Sequence, residues 1–503
     1  MLNLQKPFGL LCEIIHTTSL VTTLSQRIVL VQDFSLIFSL VSNDELLDEI
    51  IDEVLGELKN NRKNKLNKTY EKSEATITRK IINALYQSYF SIPKSWVSLS
   101  LRAKHYSGTG LSYRALRRVF NTLVQKKLII YKIGNEYSSK VTRIYPAKRL
   151  IILFKKIGHV WRKYEIDNNE VIIVREKDKN KNKKLIKTPN NKTARTLRKN
   201  LNLINEELSK HCLALDIDDD AYLLLEKELK KHIRKGKSEY NWTEKTPFSI
   251  NYSRFKLVRI FSNKKLNLHG RFYGGWWQSL PERYRQHITI DGRQTLEVDY
   301  STLALRMIYS LKNKPLDDSK DPFDLGLKPT KEQRKIIKKF AYALINDTKG
   351  TFRLSNEQYK ILGVKHNQLL ELIKKHHPPL IEFLKSEIGL KLMYLDSVIA
   401  EDIILSLLKK KILVLPIHDS FIVGRKYVGE LTKQMNKSFK KILKQNPKFD
   451  ISEPKWRLDF YNSLTNTNDK IDRFNKRNYE IDIGRKSSLY LKYYFSWKEK
   501  FNN

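Results

Sequence analysis

The clearest helical pattern near the start of the chain spans residues 43–58. Apolar residues recur on one helical face and acidic residues cover the other, which predicts an amphipathic helix. The apolar positions are Leu47, Ile50, Ile51, Val54 and Leu58. We expect this helix to dock on its own chain through that face, and recruitment of a partner protein is the alternative.

Residues 96–145 combine a basic helix with two apolar strands. Ser112 is placed to cap a helix over residues 113–127, and strands are predicted at 128–133 and 141–145. This order resembles a winged helix. Three arginines are expected on the outer face of the helix, in a position to contact DNA: Arg114, Arg117 and Arg118. The alternative is a solvated charged face on a small packing unit.

The periodic pattern then breaks down. Residues 175–199 are rich in Lys and Arg and have few apolar positions, which predicts a basic linker or arm. Helical segments are expected to follow at residues 195–210 and 221–234.

Two buried strands later in the chain each deliver an aspartate. Residues 296–301 are predicted as a strand that carries Asp299 and runs into a helix, and residues 412–423 as two strands with His418 and Asp419 at the turn. A carboxylate at the end of a buried strand is costly without a cation or hydrogen-bond donors. Paired aspartates are the hard oxygen ligands that two Mg²⁺ ions need in phosphoryl transfer.

A helix is predicted between these two acidic segments, over residues 331–346. Residues four apart lie near one face, so the helix carries a stripe formed by Arg334, Lys338, Tyr342 and Asn346. Cations suit a triphosphate, an aromatic ring suits a sugar or base, and an amide can hydrogen-bond near a base pair. Taken singly, each of these residues is also compatible with an ordinary helix surface or core.

Composition adds a polyanionic partner. The 503 residues carry 95 Lys and Arg against 54 Asp and Glu, a formal net charge of +41. Because these cations run through the whole chain, nucleic acid fits better than a membrane. Two cysteines without metal-ligand spacing argue against a disulfide framework and a zinc site. We expect no secretion signal, and a cytoplasmic, nucleoid-associated protein if the source is bacterial or a phage.

In their order along the chain, these segments resemble the motifs of family A DNA polymerases. Residues 299–306 resemble motif A, the helix with Arg334 resembles motif B, and residues 418–420 resemble motif C. Upstream, the segment with Arg271 and Gln278 resembles the part of the family that contacts the primer-template minor groove. The match covers residues 270–423.

The resemblance implies a role for each matched residue. Asp299 and Asp419 would bind two Mg²⁺ ions, for which Mn²⁺ can substitute, and the backbone carbonyl of Tyr300 would add a ligand. Arg334 and Lys338 would hold the triphosphate, and Lys338 would protonate the leaving pyrophosphate.

Three further positions complete the implied site. Tyr342 would lie under the incoming sugar and base, Asn346 at the template position, and His418 beside the primer terminus. The implied partners are a DNA primer-template and nucleoside triphosphates, with RNA as a second template.

This chain departs from the family pattern at three positions. Ala304 stands five residues after Asp299, where the family has a glutamate that blocks a ribose 2′-hydroxyl, so the steric gate is expected to be open. Asn346 replaces a tyrosine, and Ser420 replaces a glutamate after Asp419. We therefore expect relaxed sugar selectivity, with primase activity as an extension of it. We expect no proofreading domain, as in compact polymerases of phages, plasmids and mobile elements.

The expected fold is α+β, a polymerase palm with helical fingers and thumb after a winged-helix-like domain. The boundaries are a helical region at 1–90, the winged-helix-like domain at 91–160, a basic linker at 161–200, a thumb-like helical region at 201–268, palm and fingers at 269–454, and a basic aromatic tail at 455–503. The rival function is a DNA-binding replication initiator or regulator whose palm is inactive.

Overall fold

The computed structural model describes residues 45–61, 68–103, 106, 112–134, 142–161, 170–177, 183–235, 250–452 and 487–501. The architecture is mixed α+β, as the sequence predicts. Two principal hydrophobic cores hold the chain together, one built from residues 47–157 and the other from residues 161–494. Within the described ranges, no helix is long and apolar enough to cross a membrane.

The first core is enclosed by four helices and three strands. In chain order these are α1 (Glu45–Asn60), α2 (Lys68–Phe90), β1 (Val97–Leu99), α3 (Tyr113–Gln125), β2 (Ile129–Lys132), β3 (Thr142–Pro146) and α4 (Lys148–Ile157). The strands form an antiparallel sheet in the order β1–β3–β2. Ser112 caps α3 as predicted, because its side chain accepts a hydrogen bond from the Ala115 N–H.

The acidic helix predicted near the start is confirmed as α1, and it docks on its own chain. Its apolar residues are buried in the first core. Its acids pair with basic residues of the same unit: Asp48 lies 2.9 Å from Arg79 and Glu57 lies 2.8 Å from Lys126. The apolar face of α1 is therefore covered within the chain.

The second core begins with a mixed group of elements. These are β4 (Ile172–Lys177), β5 (Lys183–Ile186), α5 (Lys192–Leu208), β6 (Leu213–Leu215), α6 (Asp219–Lys235), β7 (Val258–Phe261) and β8 (His269–Tyr273). Four of the strands form a sheet in the order β5–β4–β7–β8, in which β4 and β7 run parallel.

Two regions here differ in secondary structure from the sequence-based prediction. Residues 161–200 are not a linker or arm, because they contain β4, β5 and the start of α5. The apolar run of Ile172, Ile173 and Val174 is buried in β4, and the many cations around it conceal this short strand in the sequence. Residues 201–268 are not a thumb of helices alone, since β6 and β7 belong to two different sheets.

A second sheet lies at the centre of the larger core. Its strand order is β11–β12–β10–β9–β6, and β13 also pairs with β10. The remaining strands and helices are α7 (Glu282–Arg285), β9 (Ile288–Ile290), β10 (Arg293–Tyr300), α8 (Leu303–Leu311), α9 (Lys331–Asn346), α10 (Asn356–Leu362), α11 (His366–His376), α12 (Pro378–Ile381), α13 (Ile388–Leu408), β11 (Val414–Ile417), β12 (Ser420–Gly424), α14 (Val428–Leu443), β13 (Phe449–Ser452) and α15 (Ser488–Phe501).

Helix α9 has the bounds that its sequence predicts. Thr330 and Gln333 form a reciprocal capping box at its start, in which each side chain bonds to the backbone N–H of the other residue. The apolar side of the helix, with Ile337 and Phe340, is buried in the second core. This burial turns the polar stripe of α9 away from the core.

Part of the predicted aromatic tail forms helix α15. Tyr490, Tyr493 and Tyr494 are buried in the second core, so these rings pack against the protein. The predicted aromatic positions Trp456, Tyr461 and Phe474 lie outside the described residues.

Candidate active site

Two neighbouring strands bring the predicted aspartates together. β10 and β12 are antiparallel, and Asp299 of β10 lies directly opposite Ser420, the residue after Asp419. The turn between β11 and β12 is tight, with His418 in the left-handed region at a φ of 52°. The backbone N–H of Tyr300 donates to the Asp419 carbonyl at 3.3 Å. Asp299 and Asp419 therefore project from adjoining strand ends.

The electrostatics of Asp299 distinguish it from an ordinary surface acid. Burial raises its pKa from 3.8 to about 8, with further increases from the charges of Asp419 and Glu297, while Lys338 opposes the shift. Its Oδ1 is buried and has no hydrogen-bond partner among the described residues. A buried carboxylate oxygen without a donor is costly unless a cation balances it.

This donor set fits a divalent metal ion. The unsatisfied Oδ1 of Asp299 supplies a hard oxygen, and the neighbouring Asp419 adds a second carboxylate, as Mg²⁺ prefers. Tyr300 is held rigidly beside them, because its ring is buried and its hydroxyl donates to the Met435 carbonyl at 2.7 Å. The proposed ligation by the Tyr300 carbonyl stays a prediction.

Helix α9 faces these carboxylates with part of its predicted stripe. Lys338 acts electrostatically on Asp299, and its Nζ lies 5.7 Å from the centroid of the Tyr342 ring. Burial and the charges of Asp419 and Asp299 raise the pKa of the Tyr342 hydroxyl. Lys338 and Tyr342 are thus within electrostatic range of the acidic pair, and their roles toward a nucleotide stay predictions.

Arg334 is on the same helix but already has a partner. Its Nε and Nη2 donate to the two carboxylate oxygens of Asp321 at 2.5 and 2.9 Å, and its guanidinium lies 5.4 Å from the Phe323 ring centroid. The hydrogen bonds to Asp321 raise the pKa of the Arg334 guanidinium, and the charges of Asp321 and Asp450 raise it further. A triphosphate would have to compete with Asp321 for this fork.

Asn346 is the last residue of α9. Its Nδ2 donates to the Tyr342 carbonyl at 2.9 Å, and a side chain at Gly389 of α13 would clash with its Oδ1. Because its amide bonds to its own helix, a template-contacting role stays a prediction. Ala304 lies in the first turn of α8, half-buried against the second core.

Arg271 lies close to the carboxylates, beneath the strand turn. Its Nε donates to Asp396 of α13 at 2.6 Å. Although burial opposes it, the charges of Asp396 and Asp419 raise the pKa of the guanidinium. The predicted nucleic-acid contact is thus anchored by a buried acid from a distant helix.

Gln278, which is also predicted to contact nucleic acid, forms hydrogen bonds inside the protein. Its Nε2 donates to the carbonyls of Phe272 and Pro416, each at 3.0 Å, so it ties β8 to β11. The amide group expected to contact nucleic acid therefore already donates to two backbone carbonyls. In this structure Gln278 connects the strands β8 and β11.

His418 is buried beside the same strands. Its ring centroid lies 5.4 Å from that of Tyr273, and its Nδ1 has no hydrogen-bond partner among the described residues. Burial, followed by the charge of Arg271, lowers its pKa to about 3, so the imidazole is neutral at physiological pH.

Sequence reasoning missed several acidic residues of this site. Asp450 lies directly opposite Asp299 on β13, and Glu297 precedes Asp299 by two residues on β10. Asp321 and Asp396 hold the two predicted arginines. Only Glu297 gives a local signal, because residues i and i+2 of a strand share a face. The other three depend on pairings between distant segments.

The three arginines of α3 do not form one outward face. Arg114 and Arg117 are exposed, but Arg118 lies 3.3 Å from the fully buried Glu74 of α2 and donates to the Leu58 carbonyl at 3.0 Å. Arg118 is thus engaged by α2 and α1, and its contact with DNA stays a prediction. Its acidic partner on α2 lies 44 positions earlier in the chain, so no local pattern in the sequence links the two residues.

Comparisons with known proteins give a distant likeness among solved structures. No family model matches the chain, and neither does any curated protein. Among solved structures, the chain is similar to the POL domain of Pol1 from M. smegmatis, solved in complex with a DNA primer-template and dNTP. The identity is 10%, the TM-score is 0.30, and the match covers 84% of this chain and 69% of that chain. The interpretation of the site therefore rests on its own geometry.

Proposed function

We propose that the chain is a template-directed nucleotidyl transferase that extends a 3′-hydroxyl by two-metal phosphoryl transfer. The observation that carries this proposal is the buried, unsatisfied Oδ1 of Asp299 beside Asp419, with Lys338 facing the pair from α9. The acidic pair can bind metal ions, and the lysine on the facing helix can bind the negatively charged triphosphate. The site therefore offers a matching charge to each part of a metal-triphosphate complex.

We assign a residue to each part of the proposed reaction. Asp299 and Asp419 would hold two Mg²⁺ ions, which when bound activate the 3′-hydroxyl and stabilise the leaving group. Lys338 donates a proton to the pyrophosphate oxygen as it leaves. Arg334 binds the triphosphate after exchanging its carboxylate partner Asp321 for phosphate oxygens, since both ligands suit the same planar fork.

The neighbouring side chains would bind the primer-template. Arg271, anchored by Asp396, would contact the minor groove of the primer-template. The neutral His418 would lie beside the primer terminus without adding charge to the metal site. Tyr342 provides a flat ring for the incoming sugar and base.

Ala304 leaves the sugar specificity of this reaction open. Its methyl group, in the first turn of α8, cannot exclude a 2′-hydroxyl as a glutamate would. We therefore propose that ribonucleotides are accepted together with deoxyribonucleotides, and that RNA as well as DNA can serve as template.

Primer extension tests the proposal directly. Wild-type protein is given dNTPs or NTPs with primed DNA or RNA templates and Mg²⁺ or Mn²⁺. Asp299→Asn and Asp419→Asn should abolish extension, whereas Glu371→Gln, which changes an exposed acid of α11, should not. Absence of extension by wild-type protein in every arm would instead favour a DNA-binding initiator or regulator with an inactive palm.

The first core suggests a second, separable activity. We propose that α1 to α4 with the β1–β3–β2 sheet form a winged-helix-like DNA-binding domain, in which exposed Arg114 and Arg117 contact phosphates. Duplex binding measured as a function of salt tests this. Arg114→Ala with Arg117→Ala should weaken binding and reduce the salt dependence, with primer extension on a long primed template retained.

A further inference from the structure

Glu297 lies on the same face of the central sheet as the acidic pair. It precedes Asp299 by two residues on β10, and side chains at that spacing share a face of a strand. Asp299 pairs with Ser420, so the side chain of Ser420 also projects from this face. Three polar residues of two strands therefore surround one point of the sheet.

Two donors fix the orientation of the Glu297 carboxylate. The Ser420 Oγ donates to its Oε1 at 2.5 Å, and Arg285 Nη1 donates to the same oxygen at 3.0 Å. Glu297 is only 14% exposed, so this is a largely desolvated arrangement. Among the described residues no hydrogen bond reaches Oε2. One oxygen of the Glu297 carboxylate is thus fixed by two protein donors.

We infer that Glu297 is a positioning residue for the metal site, a third carboxylate that is oriented by Ser420 and Arg285 and strengthens cation binding at Asp299 and Asp419. This inference rests on the proposed function. Ser420 cannot supply a negative charge itself, but its hydroxyl places the charge of Glu297 next to the turn that carries Asp419. Carboxylates that do not ligate a metal directly still orient its shell and raise affinity.

The contact between Ser420 and Glu297 allows a relocation test. Because their side chains touch, the double variant Glu297→Ser with Ser420→Glu moves the carboxylate from β10 to β12 while keeping it at the same point of the sheet. A general loss of folding would affect this double variant at least as much as the single one. Recovery of metal binding in the double variant is therefore a specific result.

The measurement is Mn²⁺ binding to the full chain, followed by the electron paramagnetic resonance signal of free Mn²⁺, with no nucleotide or primer present. We expect Glu297→Gln to weaken binding about tenfold and Ser420→Ala about threefold. Glu297→Ser should bind as weakly as Glu297→Gln, and the double variant should return to within about threefold of wild type. Glu371→Gln is the matched control, and circular dichroism confirms folding of every variant.

Two results would overturn the inference: wild-type Mn²⁺ affinity in Glu297→Gln, or a double variant that binds no better than Glu297→Ser. Either would leave Glu297 as a structural partner of Arg285. Failure of the proposed function gives a different pattern, in which Asp299→Asn binds Mn²⁺ as well as wild type. In primer extension, Glu297→Gln should need a higher Mg²⁺ concentration with little change in the rate at saturation.

Discussion

Asp299→Asn should stabilise the metal-free protein while removing its function. In the folded chain the pKa of Asp299 is about 8, because the carboxyl is buried and lies near Asp419 and Glu297. In an unfolded chain it is about 3.9. Between these values the unfolded state has lost the proton and the folded state retains it, so the contribution of this group to stability falls as pH rises.

The magnitude follows from the difference between the two pKa values. One unit of pKa difference corresponds to about 1.4 kcal/mol. Asp299 therefore lowers the free energy of unfolding by at most about 6 kcal/mol above pH 8 and by at most about 2 kcal/mol at pH 5.5. Relaxation of the side chain and entry of water reduce these limits. We expect Asn at this position to raise the free energy of unfolding by about 1–3 kcal/mol at pH 8.5 and by less than about 1 kcal/mol at pH 5.5.

Thermal unfolding in EDTA at the two pH values measures this difference. At pH 8.5 the variant should melt about 1–4 °C above wild type, and the gap should shrink at pH 5.5. Addition of Mg²⁺ should raise the melting temperature of wild type only, because ligand binding stabilises the folded state that holds the site. A variant that melts below wild type at pH 8.5, or a gap that is the same at both pH values, would refute the reasoning.

Three further predictions concern single side chains. Ala304→Glu should lower ribonucleotide incorporation relative to deoxyribonucleotide by more than about tenfold in paired primer extension, because it restores an acid beside the sugar; an unchanged ratio would show that Ala304 does not face the sugar. Arg118→Ala should lower the free energy of unfolding of the first core by about 2–4 kcal/mol in urea titration, because it removes the guanidinium 3.3 Å from the fully buried Glu74, whereas Arg114→Ala should stay within about 0.5 kcal/mol of wild type. Asp321→Asn should lower the KM for nucleotide about threefold, because it removes the carboxylate that competes for Arg334, and Arg334→Ala should raise it about tenfold; a higher KM in Asp321→Asn would mean that Asp321 instead orients Arg334 for binding.

The elements that deliver Asp299, Asp419 and Lys338 could be predicted because their signals are local. β10, the β11–β12 turn and α9 each carry a complete periodic pattern or turn within fewer than twenty residues. Their burial then follows from the apolar faces alone. The order of the motifs along the chain implied that the three segments meet, and the strand pairing of Asp299 with Ser420 places two of them together.

The partners of the predicted arginines could not be found in the same way. Asp396 is 125 positions from Arg271, and Glu74 is 44 positions from Arg118. Each pair forms only because two elements pack against each other, and single-sequence patterns carry no information on such packing. The sequence conceals strand β4 for a different reason. Abundant lysines surround its short apolar run, so the segment has the composition of a linker.

Asp396 of α13 and Asp299 of β10 provide an internal comparison. Asp396 is almost fully buried, and the protein supplies it with the guanidinium of Arg271 at 2.6 Å. Asp299 is also largely withdrawn from water, yet its Oδ1 has no hydrogen bond in the described part of the chain and its neighbours on the sheet are further acids. A chain with a net charge of +41 has ample cations to neutralise one more carboxylate. That Asp299 is left without one while Asp396 is paired argues that its charge is kept for a ligand from outside the chain.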